Sequence, residues 1–324
     1  MRLFLIAAIL LLATNAQGGE IRYAPPEAMG IPPADMTPEI SGIALSRKNE
    51  DVIWVHNDSG DRPKVYALSV RTGELLSIAE LPGASSKDWE DMAIGPGPDK
   101  RFDYLYLADF GNNARKKKQF WIHRTPEPLV ASRSEFKAAE AVAKSVETFT
   151  FTYPDPDSAV FDAETLLVDP ENGEITVVTK DQNENNGISF VFRSDGPLSP
   201  IGVNRLVHVG SIDFGRGIRN RATGGDVSAD GRWVIVRTYL HARLYSREPG
   251  QRVSEAILGP YTKIDLAPEP QGEAIAFEAP RRSLDSKDEN PPAFYSASEL
   301  GPKIVNPNQI MRPISRYQPL NTEK

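Results

Sequence analysis

The chain contains no cysteine, and only four of its 324 residues are histidine. The absence of cysteine excludes disulfides, thiolate catalysis and cysteine-ligated zinc sites. The four histidines are not paired at the spacing of a zinc site, which argues against zinc altogether. Any metal bound here must therefore be held mainly by oxygen atoms.

A long apolar run is also missing beyond the first residues. The chain begins with Arg2 followed by an apolar stretch over 3–13 and then small and polar residues. That stretch is short for a membrane span and has the layout of a secretory signal peptide, which we predict over 1–18, with a retained anchor as the alternative. The sequence thus predicts an exported protein, in the periplasm, at the surface or in the medium, with no membrane span after cleavage.

Positive charge is in the minority. The formal net charge is −7, and loss of the leader removes Arg2 and no acid, which gives about −8. An acidic protein without a basic stripe is a poor nucleic-acid binder, so no nucleic-acid partner is expected.

A repeated segment dominates the rest of the sequence. The five copies are EISGIAL (39–45), DWEDMAI (88–94), DAETLLV (162–168), GGDVSAD (224–230) and QGEAIAF (271–277). In this alignment, the first and third columns are rich in carboxylates and amides. Residues two apart share one face of a strand, so each repeat is predicted to carry an acidic face at its beginning.

Each repeat continues into short runs rich in Val, Ile, Tyr and Phe, punctuated by turn residues such as Thr72–Gly73 and Asn172–Gly173. Four strands per repeat around a ring predict an all-β protein, a β-propeller of about five four-stranded blades in one domain over 19–324. The last repeat is one strand short, and the N-terminal stretch EIRYAPP (20–26) is predicted to supply it and close the ring. A sixth blade within 125–160 is the alternative. An insertion is predicted over 127–147, with helix-favouring composition over 132–147.

In a propeller, the start of each inner strand and the end of the returning strand meet at one mouth of the ring. So many carboxylates in one place are unfavourable unless cations intervene. Oxygen donors of this kind suit calcium, so we predict a Ca²⁺ site at the mouth. The predicted metal ligands are Glu39, Asp88, Glu90, Asn112, Asp162, Glu164, Asp226 and Glu273. The alternative is that these acids only cap strand ends and pair with neighbouring blades.

Basic residues flank the same positions. Lys180 and Arg237 follow returning strands, and Arg115 belongs to the basic loop NARKKKQF (113–120). Together with His56, they are predicted to hold the anionic part of a substrate.

The motifs SGIALSRKNEDVIWVHNDSGDRPKVYAL, DWEDMAIG, DAETLLVDPENGEITVVTK, GGDVSADGRWVIVRTY and PQGEAIAF resemble a family of exported bacterial β-propeller proteins over nearly the whole mature chain. The acid-lined mouth is more distantly similar to the gluconolactonase family and to the β-propeller phytases. Those likenesses imply calcium-dependent chemistry at the mouth, although no local motif fixes the ligands.

Two functions follow as hypotheses. The first is a calcium-dependent hydrolase of a phosphoester or lactone-like ester, with Glu90 or Glu164 as the general base. The second is a non-catalytic propeller that binds a ligand or an envelope partner at its mouth or rim, since a propeller fold does not by itself define a function.

Overall fold

The structure is a computed structural model that describes residues 21–130, 139–143, 145–156, 160–180, 186–279, 290–301 and 312–320. The predicted signal peptide lies outside these residues. Within the described part of the chain, no helix has the length and apolar character needed to cross a membrane.

Nearly all of the regular structure is β-strand. The strands are β1 (Glu27–Ala28), β2 (Ile40–Leu45), β3 (Val52–Asn57), β4 (Lys64–Ser69), β5 (Leu75–Glu80), β6 (Trp89–Pro96), β7 (Asp103–Asp109), β8 (Gln119–Pro126), β9 (Ala139–Val142), β10 (Glu147–Thr152), β11 (Ala163–Val168), β12 (Ile175–Thr179), β13 (Ile188–Ser194), β14 (Val203–Asp213), β15 (Ala222–Val227), β16 (Trp233–Thr238), β17 (His241–Ser246), β18 (Thr262–Asp265), β19 (Gln271–Phe277), β20 (Phe294–Glu299) and β21 (Ser315–Tyr317). A 3-10 turn covers Ile218–Asn220, and the short helix α1 covers Val253–Ala256.

Antiparallel pairing groups these strands into four-stranded units: β2–β5, then β6, β7, β8 and β10, then β11–β14, then β15–β18, and last β19, β20, β21 and β1. Strand β10 also pairs in parallel with β14 of the next unit. The predicted turns are present at Gly73 and Gly173, where the positive φ angles of 75° and 77° suit glycine. The predicted β-propeller is confirmed.

The units close into a ring. The inner strands contact one another in chain order, β2 with β6, β6 with β11, β11 with β15, β15 with β19, and β19 again with β2. A separate cluster of buried apolar side chains lies between each pair of adjacent units in the described structure. Because every unit buries both of its faces against neighbours, the core is distributed around the ring.

Side chains also connect the inner strands at the centre. The fully buried carboxylate of Asp91 on β6 accepts hydrogen bonds from the backbone N–H of Leu166 on β11, at 2.8 Å, and of Gly225 on β15, at 3.2 Å. Three inner strands are thus tied together by one side chain.

The N-terminal segment completes the last unit, as predicted, although the strand that pairs there is Glu27–Ala28 and not the predicted 20–26. Strand β1 pairs antiparallel with β21, and an isolated bridge joins Tyr23 to Pro319. The Tyr23 ring packs 4.9 Å from that of Phe294, and its hydroxyl donates to the carbonyl of Pro292. The closure covers the edge that β21 would otherwise expose.

The helix expected from the composition of 132–147 is wrong where this segment is described. Residues Ala139–Val142 form β9, which pairs in parallel with β5 at the outer edge of the first unit. Helix propensity is a weak preference, and an unpaired strand edge outweighs it here. In the described part of 125–160, β9 adds a fifth strand to the first unit and β10 is the fourth strand of the second, so these strands form no separate sixth unit.

Candidate functional site

Each inner strand carries a β-bulge near its start. The register shifts around Ser41, Glu90, Glu164, Thr223 and Glu273, one in each unit. A bulge inserts one extra residue and re-aims its side chain, and bulges occur often beside functional sites. Here they place three glutamates at the same level of the ring.

The positions of the β-bulges show that the sequence alignment of the fourth repeat is wrong. Thr223 occupies its bulge, whereas the sequence alignment placed Asp226 in that column, so the alignment was shifted by three residues. Asp226 lies deeper in β15, where its carboxylate accepts hydrogen bonds from the N–H of Val227 and of Phe277, both at 2.8 Å. The fourth unit contributes no carboxylate at the bulge level.

Two groups of carboxylates form the mouth. Asp58, Asp88 and Glu90 each offer an oxygen within 4.8 Å of the others, and Glu90, Asp162 and Glu164 do the same. Glu90 belongs to both groups, so the start of β6 lies at the centre of the site. The structure thus brings together four of the predicted ligands and adds Asp58.

Burial makes these acids unusual. Glu90 is 3% exposed and Glu164 is 1% exposed. The Oε2 atom of Glu164 is buried and has no hydrogen-bond partner, and the same holds for Oδ1 of Asp58. A buried oxygen without a donor is costly, because the group loses water and gains no replacement.

The electrostatics reflect this crowding. Burial and the charges of Glu164 and Asp58 raise the pKa of Glu90 well above its ordinary value. Burial likewise raises the pKa of Glu164, although Lys180 opposes the effect. Burial and the charge of Asp88 raise the pKa of Asp58 to about 7. Without further positive charge, the site favours protonated carboxyl groups at neutral pH.

Among the described residues, two lysines form ion pairs with the acids of the mouth. Lys180 forms an ion pair with Glu164, and Lys117 forms one with Asp88 at 3.0 Å. Although burial disfavours the charged amine, Glu164 and the other nearby acids raise the pKa of Lys180 well above its ordinary value. Lys180 is therefore a fixed positive charge at the floor of the mouth.

A second acidic pair lies on the fifth unit. Glu273 accepts hydrogen bonds from the hydroxyl of Tyr239 at 3.1 Å and from the side-chain amide of Gln271 at 3.2 Å. Gln271 also donates to Glu299. Burial and the adjacent Glu273 raise the pKa of Glu299 to about 11, which favours its protonated form.

Loops hold the carboxylates in place. Asp109 is fully buried, and its Oδ1 accepts the N–H of Asp88 at 3.0 Å. Gly111 leaves room for Glu90, since a Cβ at position 111 would lie 2.0 Å from the Oε1 of Glu90. Asn112 donates its backbone N–H to Asp162 at 2.6 Å. Burial raises the pKa of Asp162 despite this bond.

Other predicted residues take different places. The side-chain oxygen of Asn112 accepts the N–H of Lys116 and Lys117 in its own loop, and its amide nitrogen donates to the carbonyls of Lys117 and Phe161. Arg237 is fully buried and forms an ion pair with Glu269 at 2.7 Å. His56 is also fully buried, and burial lowers its pKa to about 4. Glu39 is exposed, and its charge contributes to the raised pKa of Asp58 and of Glu299, which places it at the rim.

An open cleft of about 500 Å³ adjoins the carboxylates. Asp162 and Lys180 form part of its wall, and Arg115, Arg219 and Arg221 form another part. Of the predicted substrate-binding residues, Lys180 and Arg115 line this cleft. Arg219 and Arg221, which also line it, belong to the basic stretch FGRGIRNRATGG (214–225) and were not among the predicted site residues.

Asp58 and Glu299 were the acids missing from the predicted ligand set. Both belong to returning-strand ends, HNDSGD (56–61) and SE (298–299), which the propeller geometry already assigned to the mouth. Acids at the ends of the returning strands reach the mouth as those of the inner strands do, but the repeat columns include only the inner strands.

The chemistry of the donors fits a hard divalent cation. Carboxylate oxygens are the donors that Ca²⁺ prefers, and the described mouth contains neither thiol nor accessible imidazole. The unpartnered Oε2 of buried Glu164 is the kind of atom that a cation would satisfy.

Comparison with known proteins agrees with the fold. The chain is similar to the alpha-L-arabinofuranosidase PaAbf62A from Podospora anserina in complex with cellotriose, at 10% identity over 93% of this chain and 98% of that one, with a TM-score of 0.50. It is also similar to the PQQ-bound aldose sugar dehydrogenase from Streptomyces coelicolor, at 10% identity with the same coverage and a TM-score of 0.47. Both are β-propeller-like enzymes. At 10% identity, the likeness to the arabinofuranosidase shows the fold alone. No protein-family model and no curated protein sequence matches the chain.

Proposed function

We propose that the mouth binds a divalent cation, calcium by its donor set, between Glu90, Asp162 and Glu164, with Asp58 and Asp88 beside it. We further propose that the protein is exported and uses this cation to hydrolyse a phosphoester or lactone-like ester. The observation that supports the proposal best is the buried, unpartnered oxygen of Glu164 inside a group of three carboxylates.

Charge supports a cation as the missing component. The described acids of the mouth outnumber Lys180 and Lys117. Burial is the main cause that raises the pKa values of Asp58, Glu90, Asp162 and Glu164, and neighbouring acids add to the effect. A bound divalent ion would offset both effects, because it attracts the ionised forms and replaces lost hydration.

The roles proposed for the protein's own side chains in hydrolysis follow from where these side chains lie in the mouth. A bound divalent cation would supply Lewis acidity and lower the pKa of a bound water. Glu90 lies at the centre of both carboxylate groups and is the best-placed general base, with Glu164 held in place by Lys180. Lys180 also lines the cleft and is positioned to attract an anionic or ester substrate.

The direct test is turnover of aryl phosphates, aryl esters and lactones by the mature protein, with calcium or with a chelator. We expect calcium-dependent hydrolysis in at least one class, and a loss of about 10²-fold or more in Glu90→Gln, as for removal of a general base. Asp99→Asn is the matched control, since it also removes one carboxylate, but one that lies outside both carboxylate groups of the mouth and is paired with Arg101.

Cation binding without turnover in any of these classes would overturn the hydrolase and favour the non-catalytic alternative, a propeller that holds a ligand or envelope partner at its mouth. Glu90→Gln with wild-type turnover would remove Glu90 from the mechanism.

A further inference from the structure

Three arginines line the mouth cleft. Arg115 follows β7, and Arg219 and Arg221 belong to the segment that leads into β15. We call Arg115, Arg219 and Arg221 the arginine wall. It faces the same cleft as Asp162 and Lys180, so positive and negative groups share one opening.

The arginine wall is not consumed by ion pairs within the described structure. Its three members form no salt bridge there, although a dense group of acids lies close by. The Nε atom of Arg221 is buried without a hydrogen-bond partner. A guanidinium in this state has donors available for a ligand.

The segment that carries Arg219 and Arg221 is anchored. Phe214 is buried in the cluster between the third and fourth units. Asn220 donates its side-chain amide to the carbonyl of Arg216 at 2.8 Å, and Gly215 donates its N–H to Asp213 at 2.8 Å. The two arginines therefore start from a fixed backbone, which reduces the entropy lost on binding.

The arrangement selects a ligand by its chemistry. A guanidinium fork binds two oxygens of an oxyanion side by side. A phosphate monoester has three non-ester oxygens, so it can meet the fork and still present an oxygen to the carboxylate floor. A carboxylate has only two oxygens, so it cannot fill the guanidinium fork and also present a further oxygen to the carboxylate floor.

We infer that the arginine wall is a recognition subsite for the phosphate group of an anionic ligand, with Arg219 and Arg221 determining specificity. This inference rests on the proposed function, because the floor of the same cleft attracts an anion only when it holds a cation.

The test is calorimetric titration of the mature protein with phenylphosphonate, a phosphate-ester mimic that cannot be hydrolysed, in the presence of calcium. Wild type should bind it, and Arg219→Gln and Arg221→Gln should each weaken binding about tenfold or more. Benzoate should bind more weakly than phenylphosphonate. Arg232→Gln is the control, since Arg232 is paired with Asp230 in the hairpin at the far end of β15.

Calcium affinity is measured on the same variants and should stay within about threefold of wild type. Equal phenylphosphonate affinity in wild type and both wall variants would overturn the subsite, as would no binding to calcium-loaded wild type. Benzoate binding as tightly as phenylphosphonate would overturn the phosphate assignment. Arginine-dependent binding in a protein that fails to bind calcium would support the subsite and contradict the proposed function.

Discussion

At the scale of single residues, the position of a carboxylate along the inner strand decides its chemistry. Glu90 and Glu164 occupy bulges and gather at the mouth, whereas Asp91 and Asp226 lie deeper and accept backbone N–H groups. The same residue type thus serves as a candidate ligand at one level and as a structural connector at the next.

Asp226 gives a pH dependence whose sign can be worked out. Burial raises its pKa from 3.8 to about 7 in the folded protein. The folded state then holds a proton that the unfolded state releases, so stability falls as pH rises between these two values. With chelator present, we expect ionisation of this residue to lower the free energy of unfolding by about 1 kcal/mol between pH 6 and 8.5.

Urea unfolding of wild type and Asp226→Asn at these two pH values measures that contribution, because all other titrating groups are common to both proteins. The loss of unfolding free energy between the two pH values should be smaller in Asp226→Asn than in wild type, whatever the variant's absolute stability. The same loss in both proteins would show that the N–H groups of Val227 and Phe277 keep the carboxylate ionised.

At the scale of elements, four-stranded repeats and turns could be predicted from the sequence, but the register of the fourth inner strand could not. Its bulge residue is Thr223, but the first acid after it, Asp226, was aligned with the bulge glutamates of the other repeats. A bulge is an offset in pairing with the next strand, so it leaves no mark in the strand's own sequence. The strand Ala139–Val142 was missed for a related reason, since its pairing with β5 overrides a helix-favouring composition.

Close approach of the inner strands depends on glycine. A Cβ on Gly224 would lie 2.3 Å from the carbonyl oxygen of Glu273 on β19. Because that neighbour is backbone, Gly224→Ala should destabilise the protein by about 3 kcal/mol or more in urea unfolding. Gly259→Ala is the control, since a Cβ there would meet nothing closer than 3.2 Å and should change stability by less than about 1 kcal/mol. Equal stability of the two variants would contradict the packing of β15 against β19.

At the scale of the whole molecule, closure of the ring brings distant parts of the sequence to one mouth. Asp58, Asp162 and Glu299 come from three different units. In the closed ring, Asp58 and Asp162 each lie beside Glu90, and the charge of Asp58 acts on Glu299. The repeated acidic positions and the closure by the N-terminal segment could be predicted from the sequence. Which charges remain unpaired depends on side-chain positions that no repeat pattern specifies.

Closure of the ring by β1 can be tested with an engineered disulfide, because the chain has no cysteine of its own. Ala28 on β1 lies opposite Ser315 on β21, at the spacing of paired antiparallel strands. The double substitution Ala28→Cys with Ser315→Cys should form a disulfide that stabilises the protein by about 2–4 kcal/mol relative to its reduced form. Each single substitution is a control. Failure of the pair to oxidise would contradict closure by β1.

The central claim, a cation at the mouth, is tested most directly by thermal unfolding of the mature protein with excess calcium and with a chelator. At about 100 times its dissociation constant, a bound ion should add about 2.7 kcal/mol, which corresponds to a rise of several degrees in Tm. The shift should shrink in Glu90→Gln and Glu164→Gln and persist in Asp99→Asn. An unchanged Tm in wild type would show that Lys180, Lys117 and protonation balance these acids without an ion, and would contradict the proposed site.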